Sequence, residues 1–197
     1  MDAMSKTFCE DTHCFTRLTM MNKVLIVYGT RYGTTTEVVQ EMSNTARELG
    51  AQVDTVNLEK GTPFPEPEKY DLVIIGSGIR TGQWKREPLE FIEQKLESLS
   101  KTKVALFVVS GYAGNPDKVA EAQADYLDSM PEKYPGLNPT STALIGGMFE
   151  FNRYNLMVRA LVKRMVKSQM PEGEELPEKI DFRDWDMIRD WIKELVQ

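Results

Sequence analysis

Four consecutive apolar residues, Val24-Leu25-Ile26-Val27, run straight into Tyr28-Gly29-Thr30-Arg31-Tyr32-Gly33-Thr34-Thr35-Thr36, and a helical pattern opens at once behind them. An uninterrupted apolar run suits a strand covered on both faces, as in a parallel sheet sandwiched by helices. Glycines and hydroxyls crowded between such a strand and a helix make a nest for an anion. The first backbone N–H groups of a helix have no partner inside it, and they carry the positive end of its dipole. The nest therefore suits a phosphate monoester.

The remainder of the chain keeps the same alternation of strand and helix. Strands are expected at Lys23–Tyr28, Gln52–Leu58, Tyr70–Gly76, Lys103–Ser110 and Ala143–Gly147, with helices at Thr35–Leu49, Glu87–Leu99, Asp117–Asp128, Tyr154–Lys167 and Trp185–Val196. On the first helix Val38, Val39, Met42, Ala46 and Leu49 form one stripe, and Gly50 supplies a left-handed stop. The run Thr62-Pro63-Phe64-Pro65-Glu66-Pro67 can join neither a ladder nor a helix and reads as a connection. The expected fold is a doubly wound α/β domain, a five-stranded parallel sheet in the order 2-1-3-4-5 with helices on both faces.

In such a sheet ligands bind beyond the carboxyl ends of the strands, where the strand order reverses. Three of those ends carry glycine-rich or polar loops: Thr30 to Thr35, then Ser77-Gly78-Ile79-Arg80-Thr81-Gly82-Gln83-Trp84, then Ser110-Gly111-Tyr112-Ala113-Gly114-Asn115. One loop offers a phosphate nest and the other two offer glycines with one aromatic each, Trp84 and Tyr112. A flat ring fits between or beside them; as packing residues the same aromatics would sink into the core instead. Arg80 either lies near the ligand or forms an ion pair with Glu87 or Glu90.

Charge and composition exclude several classes. A net charge of −6 over 197 residues argues against nucleic acid as the main partner, since binding a phosphate backbone needs a basic face. No run of 18 apolar residues is present, so no transmembrane segment is expected, and residues 1–20 lack the apolar core of a secretory signal. A cytoplasmic protein is expected, with 1–20 as a flexible extension and 21–197 as the domain. Cys9, His13 and Cys14 in that extension fall short of a metal-ligand set, and no metal site is expected. Deleting residues 1–20 is expected to leave folding and cofactor content unchanged. A receiver domain would need acidic residues where Tyr28-Gly29 and Gly76-Ser77 stand. A triphosphate P-loop would need lysine after Gly33, and a dinucleotide loop needs a glycine spacing that Gly29 and Gly33 do not give. The single histidine, His13, leaves no hydrolytic triad.

From about Lys23 onward the chain resembles the flavodoxin family. The likeness rests on Thr30, Arg31, Tyr32, Gly33, Thr34 and Thr35 in the first loop, with the other two loops in matching order and spacing. It implies FMN as cofactor, with its phosphate on the first loop and its ring beside Ser77 to Trp84 and Ser110 to Asn115. Within the family, Thr30-Arg31-x-Gly33-x-Thr35, Ser77-x-Ile79-Arg80-x-Gly82, Asp184-Trp185 and Phe151-x-Arg153-Tyr154 are similar to the menaquinone-dependent protoporphyrinogen IX dehydrogenases. Trp84 and the acidic stretch Asn115–Glu132 depart from that branch. The resemblance implies a redox enzyme acting on a porphyrinogen-like substrate with a quinone as acceptor. The alternative is an electron carrier serving a redox partner protein.

One helix stands apart in charge. Between Asn152 and Met170 lie Arg153, Arg159, Lys163, Arg164 and Lys167 without an acid, opposite Tyr154, Val158, Leu161, Val162 and Met165 at helical spacing. An ordinary helix packed on the sheet accounts for the apolar stripe. The basic face of 153–167 remains open to anionic lipid, to propionates or to an acidic partner, which makes peripheral membrane contact an expectation. Asp184-Trp185 is expected to cap and anchor the last helix rather than to join the site.

Overall fold

A computed structural model describes residues 23–150, 156–167 and 179–197. Its strands β1 (Lys23–Gly29), β2 (Gln52–Asn57), β3 (Leu72–Gly78), β4 (Lys103–Ser110) and β5 (Pro139–Gly146) form one sheet in the order β2-β1-β3-β4-β5, all neighbours parallel. The expected topology is the one observed. Its helices are α1 (Thr34–Glu48), α2 (Arg86–Leu99), α3 (Pro116–Gln123), the single turn α4 (Met130–Lys133), α5 (Leu156–Lys167) and α6 (Trp185–Val196).

The period of two along each strand divides the apolar residues between two cores. Val24, Ile26 and Tyr28 of β1, Ile74 of β3 and Phe107 of β4 pack with Val38 and Met42 of α1 and Ile188 and Ile192 of α6. Leu25 and Val27, Val73 and Ile75, and Leu106 and Val108 pack on the other face with Phe91 and Ile92 of α2 and with Tyr126, Leu127 and Met130. Every one of the strand residues just named is buried, which is why β1, β3 and β4 read as unbroken apolar runs. Gly76 allows a close fit, since a Cβ there would stand 2.0 Å from the Phe107 ring across the ladder.

The helix ends have local causes. Helix α1 stops in a Schellman motif: Gly50 has φ 91°, its N–H bonds the Arg47 carbonyl, and the Ala51 N–H bonds that of Ala46. Asn115 caps α3 by accepting from the Asp117 N–H at 3.0 Å. Asp184 caps α6 by accepting from the Met187 N–H at 2.9 Å, as expected of it, and Trp185 packs against the core beside it.

Several boundaries differ from expectation. Tyr70 closes a short 3-10 turn, Pro67–Lys69, by bonding the Pro67 carbonyl, so β3 starts only at Leu72. β5 begins at Pro139 rather than Ala143; as an edge strand it accommodates a proline at its first position. The helix expected over Asp117–Asp128 ends at Gln123 and passes into a π turn over Ala124–Asp128. Also unforeseen is an antiparallel pair, β6 (Met148–Glu150) with β7 (Lys179–Asp181). Asn22, residues 1–20 with Cys9, His13 and Cys14, and the Phe151, Arg153 and Tyr154 positions lie outside the described residues.

Candidate functional site

The ladder brings three loops to one edge of the sheet. Gly29 pairs in register with Ser77, and Gly78 with Val109, so the chain leaves β1, β3 and β4 side by side, and the order of strands reverses between β1 and β3. All three expected loops therefore meet at the switch point.

In the first loop the Gly33 N–H donates to Thr30 Oγ1 at 3.1 Å, a small turn that presents the start of α1. Gly33 itself has φ 88°, a left-handed residue leading into a helix, and no side chain caps the helix there. A left-handed residue followed by right-handed ones turns successive N–H groups toward a common point. Among the described residues no acceptor serves the N–H groups of Thr34, Thr35 and Thr36. Thr35 is buried, with Oγ1 at 2.8 Å from where a Cβ on Gly78 would stand, so the first and second loops touch hydroxyl to backbone. Arg31 is exposed and Tyr32 half-buried at the rim. The arrangement fits a phosphate monoester: open donors at a helix start, closed from below by a glycine that leaves no room for a side chain.

The second loop is a tight two-residue hairpin. Arg80 and Gln83 exchange both backbone bonds at 3.0 Å, and Thr81 and Gly82 between them have φ 49° and 75°. Thr81 is the sole non-glycine with positive φ among the described residues, and a β-branched side chain is strained there. Ser77 is fully buried, accepts from the Lys85 N–H at 2.8 Å and donates to the Gly78 carbonyl, so its hydroxyl clips the loop back on itself. Ile79 and Trp84 pack against the core of α2, and the Trp84 indole donates to the Tyr126 carbonyl at 2.9 Å. Trp84 is thus half-buried and anchored by packing and by this bond. Arg80 is exposed, and the expected partners are taken: Glu87 pairs with Lys85 and Glu90 with Arg86. The ion-pair alternative for Arg80 is corrected accordingly.

The third loop winds into a 3-10 turn, Gly111–Gly114, started by Ser110, whose Oγ accepts from the Tyr112 N–H at 3.2 Å. Tyr112 remains 39% exposed and is the outward aromatic of the pair. Ala113 and Gly114 are half-buried behind it and Asn115 is committed to capping α3. Burial pushes the Tyr126 phenol up, with Tyr112 as the next cause, and the Tyr126 hydroxyl lies 3.8 Å from where a Cβ on Gly82 would stand.

Two residues of the site carry no signal in the sequence. The Phe182 ring lies against Gly114, where a Cβ would meet it at 2.4 Å, and the Phe182 carbonyl crosses Gly146 at 1.9 Å from a Cβ there. Its neighbour Arg183 reaches the opposite way, to Glu37 in the first turn of α1. Both follow the short strand β7, whose pairing with β6 has no local pattern to reveal it. On α5, Leu156 and Met157 are 83% and 85% exposed, and the same helix carries the half-buried Arg159 and the exposed Arg164 further along. The side chains of Val158, Leu161, Val162, Met165 and Lys167 lie outside the described residues. No group of acidic, histidine or cysteine side chains suited to a metal occurs among the described residues, and no helix there is long and apolar enough to cross a membrane.

Comparison with known proteins gives a consistent result. A family model described as a flavodoxin domain matches residues 25–175. The chain is similar to the protoporphyrinogen IX dehydrogenase [quinone] of Escherichia coli strain K12, 27% identical over 175 residues that cover 88% of this chain and 94% of the relative. The enzyme of the same name from Leishmania major is 26% identical over 171 residues, 85% of this chain and 71% of its own. Among solved structures, oxidised flavodoxin 1 from Bacillus cereus superposes with a TM-score of 0.55 at 18% identity, over 89% of this chain and 97% of that one.

Proposed function

The chain belongs to the flavodoxin domain family, and from that premise we propose that it binds FMN where its three loops converge and works as an oxidoreductase of the protoporphyrinogen IX dehydrogenase type. The observation that carries the proposal is the open start of α1, where no acceptor among the described residues serves the N–H groups of Thr34, Thr35 and Thr36, set beside two further loops at a switch point. A dianionic phosphate satisfies those donors and the helix dipole together.

When bound, the flavin supplies two-electron chemistry, accepting electrons and a proton from a reduced substrate and giving them up to an oxidant. The chain's own residues bind and tune it. Thr30 fixes the turn that aims the donors, and Thr34 and Thr35 add hydroxyls. Tyr112 gives an exposed aromatic face beside the crevice, while Trp84 and Ser77 hold the Thr81-Gly82 turn in place from beneath. Arg80 is a cation on that turn with no ion-pair partner among the described residues. Placed near the ring, it favours the negative charge that accumulates on reduction.

Porphyrinogen and quinone are the reactants named for the relatives in Escherichia coli and Leishmania major, and that likeness over most of both chains supports them here. A quinone lives in lipid, and the exposed Leu156 and Met157 on the helix that carries Arg159 and Arg164 support docking of α5 on an anionic bilayer. A second reading, an electron carrier between partner proteins, is favoured by the fold shared with a flavodoxin along nearly its whole length. One experiment separates them: anaerobic reduction of the FMN-loaded protein by protoporphyrinogen IX, followed by reoxidation with a menaquinone analogue. Bleaching and recovery of the flavin absorbance support the enzyme. Flavin that ignores the porphyrinogen yet exchanges electrons with a flavodoxin reductase supports the carrier.

A further inference from the structure

Arg183 is the most heavily committed cation in the molecule's described part. It lies between β7 and α6 with a side chain only 3% exposed. Its Nε and one terminal nitrogen grip both oxygens of Asp181, at 2.8 and 2.6 Å. The other terminal nitrogen donates to Glu37 Oε2 at 2.7 Å, and the guanidinium plane lies 4.4 Å from the centre of the Trp185 ring. A bidentate carboxylate alone suffices to settle a buried guanidinium; the reach to Glu37 is an addition that ties the segment before α6 to the first turn of α1.

Glu37 is four residues beyond Gly33, and its own N–H bonds the Gly33 carbonyl. Side chains on a helix lean toward its N-terminus, so a residue at this position covers the turn that forms the nest. A carboxylate there stabilises the helix on its own. It also competes with any second anion for the same positive end.

We infer that Arg183 is a positioning residue for the phosphate of the cofactor, holding the Glu37 carboxylate in an ion pair and offsetting its charge at the start of α1. The inference rests on the FMN reading and adds a determinant that none of the three loops contains. It also gives the β6–β7 pair a purpose. Phe182 against Gly114 and Arg183 on Glu37 let one dipeptide touch the third loop and the phosphate helix together.

The test compares FMN with riboflavin, which carries the same ring and no phosphate, by fluorescence titration of the full-length apoprotein. Arg183→Met is expected to weaken FMN about fivefold, the size of one screened charge a turn away, and to leave riboflavin unchanged. Adding Glu37→Gln to that variant is expected to restore FMN binding. Equal losses for both ligands, or no rescue, overturn the inference and leave Arg183 a structural clamp. If Arg183→Met does not fold, Glu37→Gln alone decides: tighter FMN with unaltered riboflavin supports the role, and unaltered FMN overturns it. Wild-type protein that binds riboflavin and FMN equally well also overturns it. Wild-type protein that binds neither ligand overturns the FMN reading itself, and this role falls with it.

Discussion

Thr81 holds a backbone conformation that its side chain opposes. Between Arg80 and Gln83 the chain needs two successive left-handed residues, a turn for which asparagine-glycine is the favoured pair. Thr81→Asn keeps the turn and removes the β-branched clash, so the urea midpoint should rise by the equivalent of about 1 kcal/mol. Strain of that kind survives where the surroundings impose it, and here the Ser77 clip and the Trp84 bond fix both sides of the turn. Arg80 at its first corner has the opposite character, an exposed cation whose expected carboxylates belong to Lys85 and Arg86. A cation near the ring stabilises the reduced flavin, so Arg80→Ala should lower the midpoint potential of the bound FMN. Spectroelectrochemical titration checks this, and an unchanged potential removes Arg80 from the site.

Elements show which parts of the site a linear sequence can reveal. The first loop was legible because its cause is local: glycine, hydroxyls and a helix start are neighbours in the chain. The convergence of the loops was legible because apolar runs and helices alternate, which fixes a parallel sheet and its switch point. Trp84 was not, since the same aromatic after a glycine-rich turn serves equally to cover a ligand or to anchor the turn. What anchors it is the Tyr126 carbonyl, a partner 42 residues away in a π turn that the helical pattern of Asp117–Asp128 does not betray. Trp84→Phe retains the packing and leaves that carbonyl unserved. It should cost about 1 kcal/mol of stability in a denaturant titration while FMN binds with nearly unchanged affinity. Helix α5 makes a different demand on its surroundings. Leu156 and Met157 expose apolar side chains on the helix that carries Arg159 and Arg164, so replacing both with glutamate should reduce cosedimentation with phosphatidylglycerol vesicles at least severalfold. Flavin content should stay constant in the same preparations.

Across the whole molecule, the C-terminal segment closes what the sheet opens. Residues 179–184 pair with β6, cross β5 at Gly146 and pin α1 through Arg183, all at sequence distances too long for periodicity or spacing to show. Asp181 is the hinge of this arrangement, because its carboxylate holds the guanidinium in place. The hydrogen bonds from Arg183 hold the Asp181 carboxyl below the usual carboxylate range, against a smaller upward push from burial. A folded-state pKa below the unfolded one means that the folded protein binds fewer protons, so the stability from this contact is present above the unfolded value. It is lost as pH falls below about 3.8 toward the folded value. Asp181→Asn removes the titrating group, and the buried guanidinium is then left with less compensating charge at every pH. The variant should therefore be less stable than wild type at pH 7, and the difference in urea midpoint should narrow steadily below pH 4 as the wild-type carboxylate takes up its proton. A difference that stays constant from pH 7 to pH 2.5 would mean that the loss comes from packing alone and that the ion pair contributes nothing to the fold. The narrowing, if paired with a parallel loss of FMN over riboflavin, would tie the acid sensitivity of the fold to the phosphate helix through one side chain.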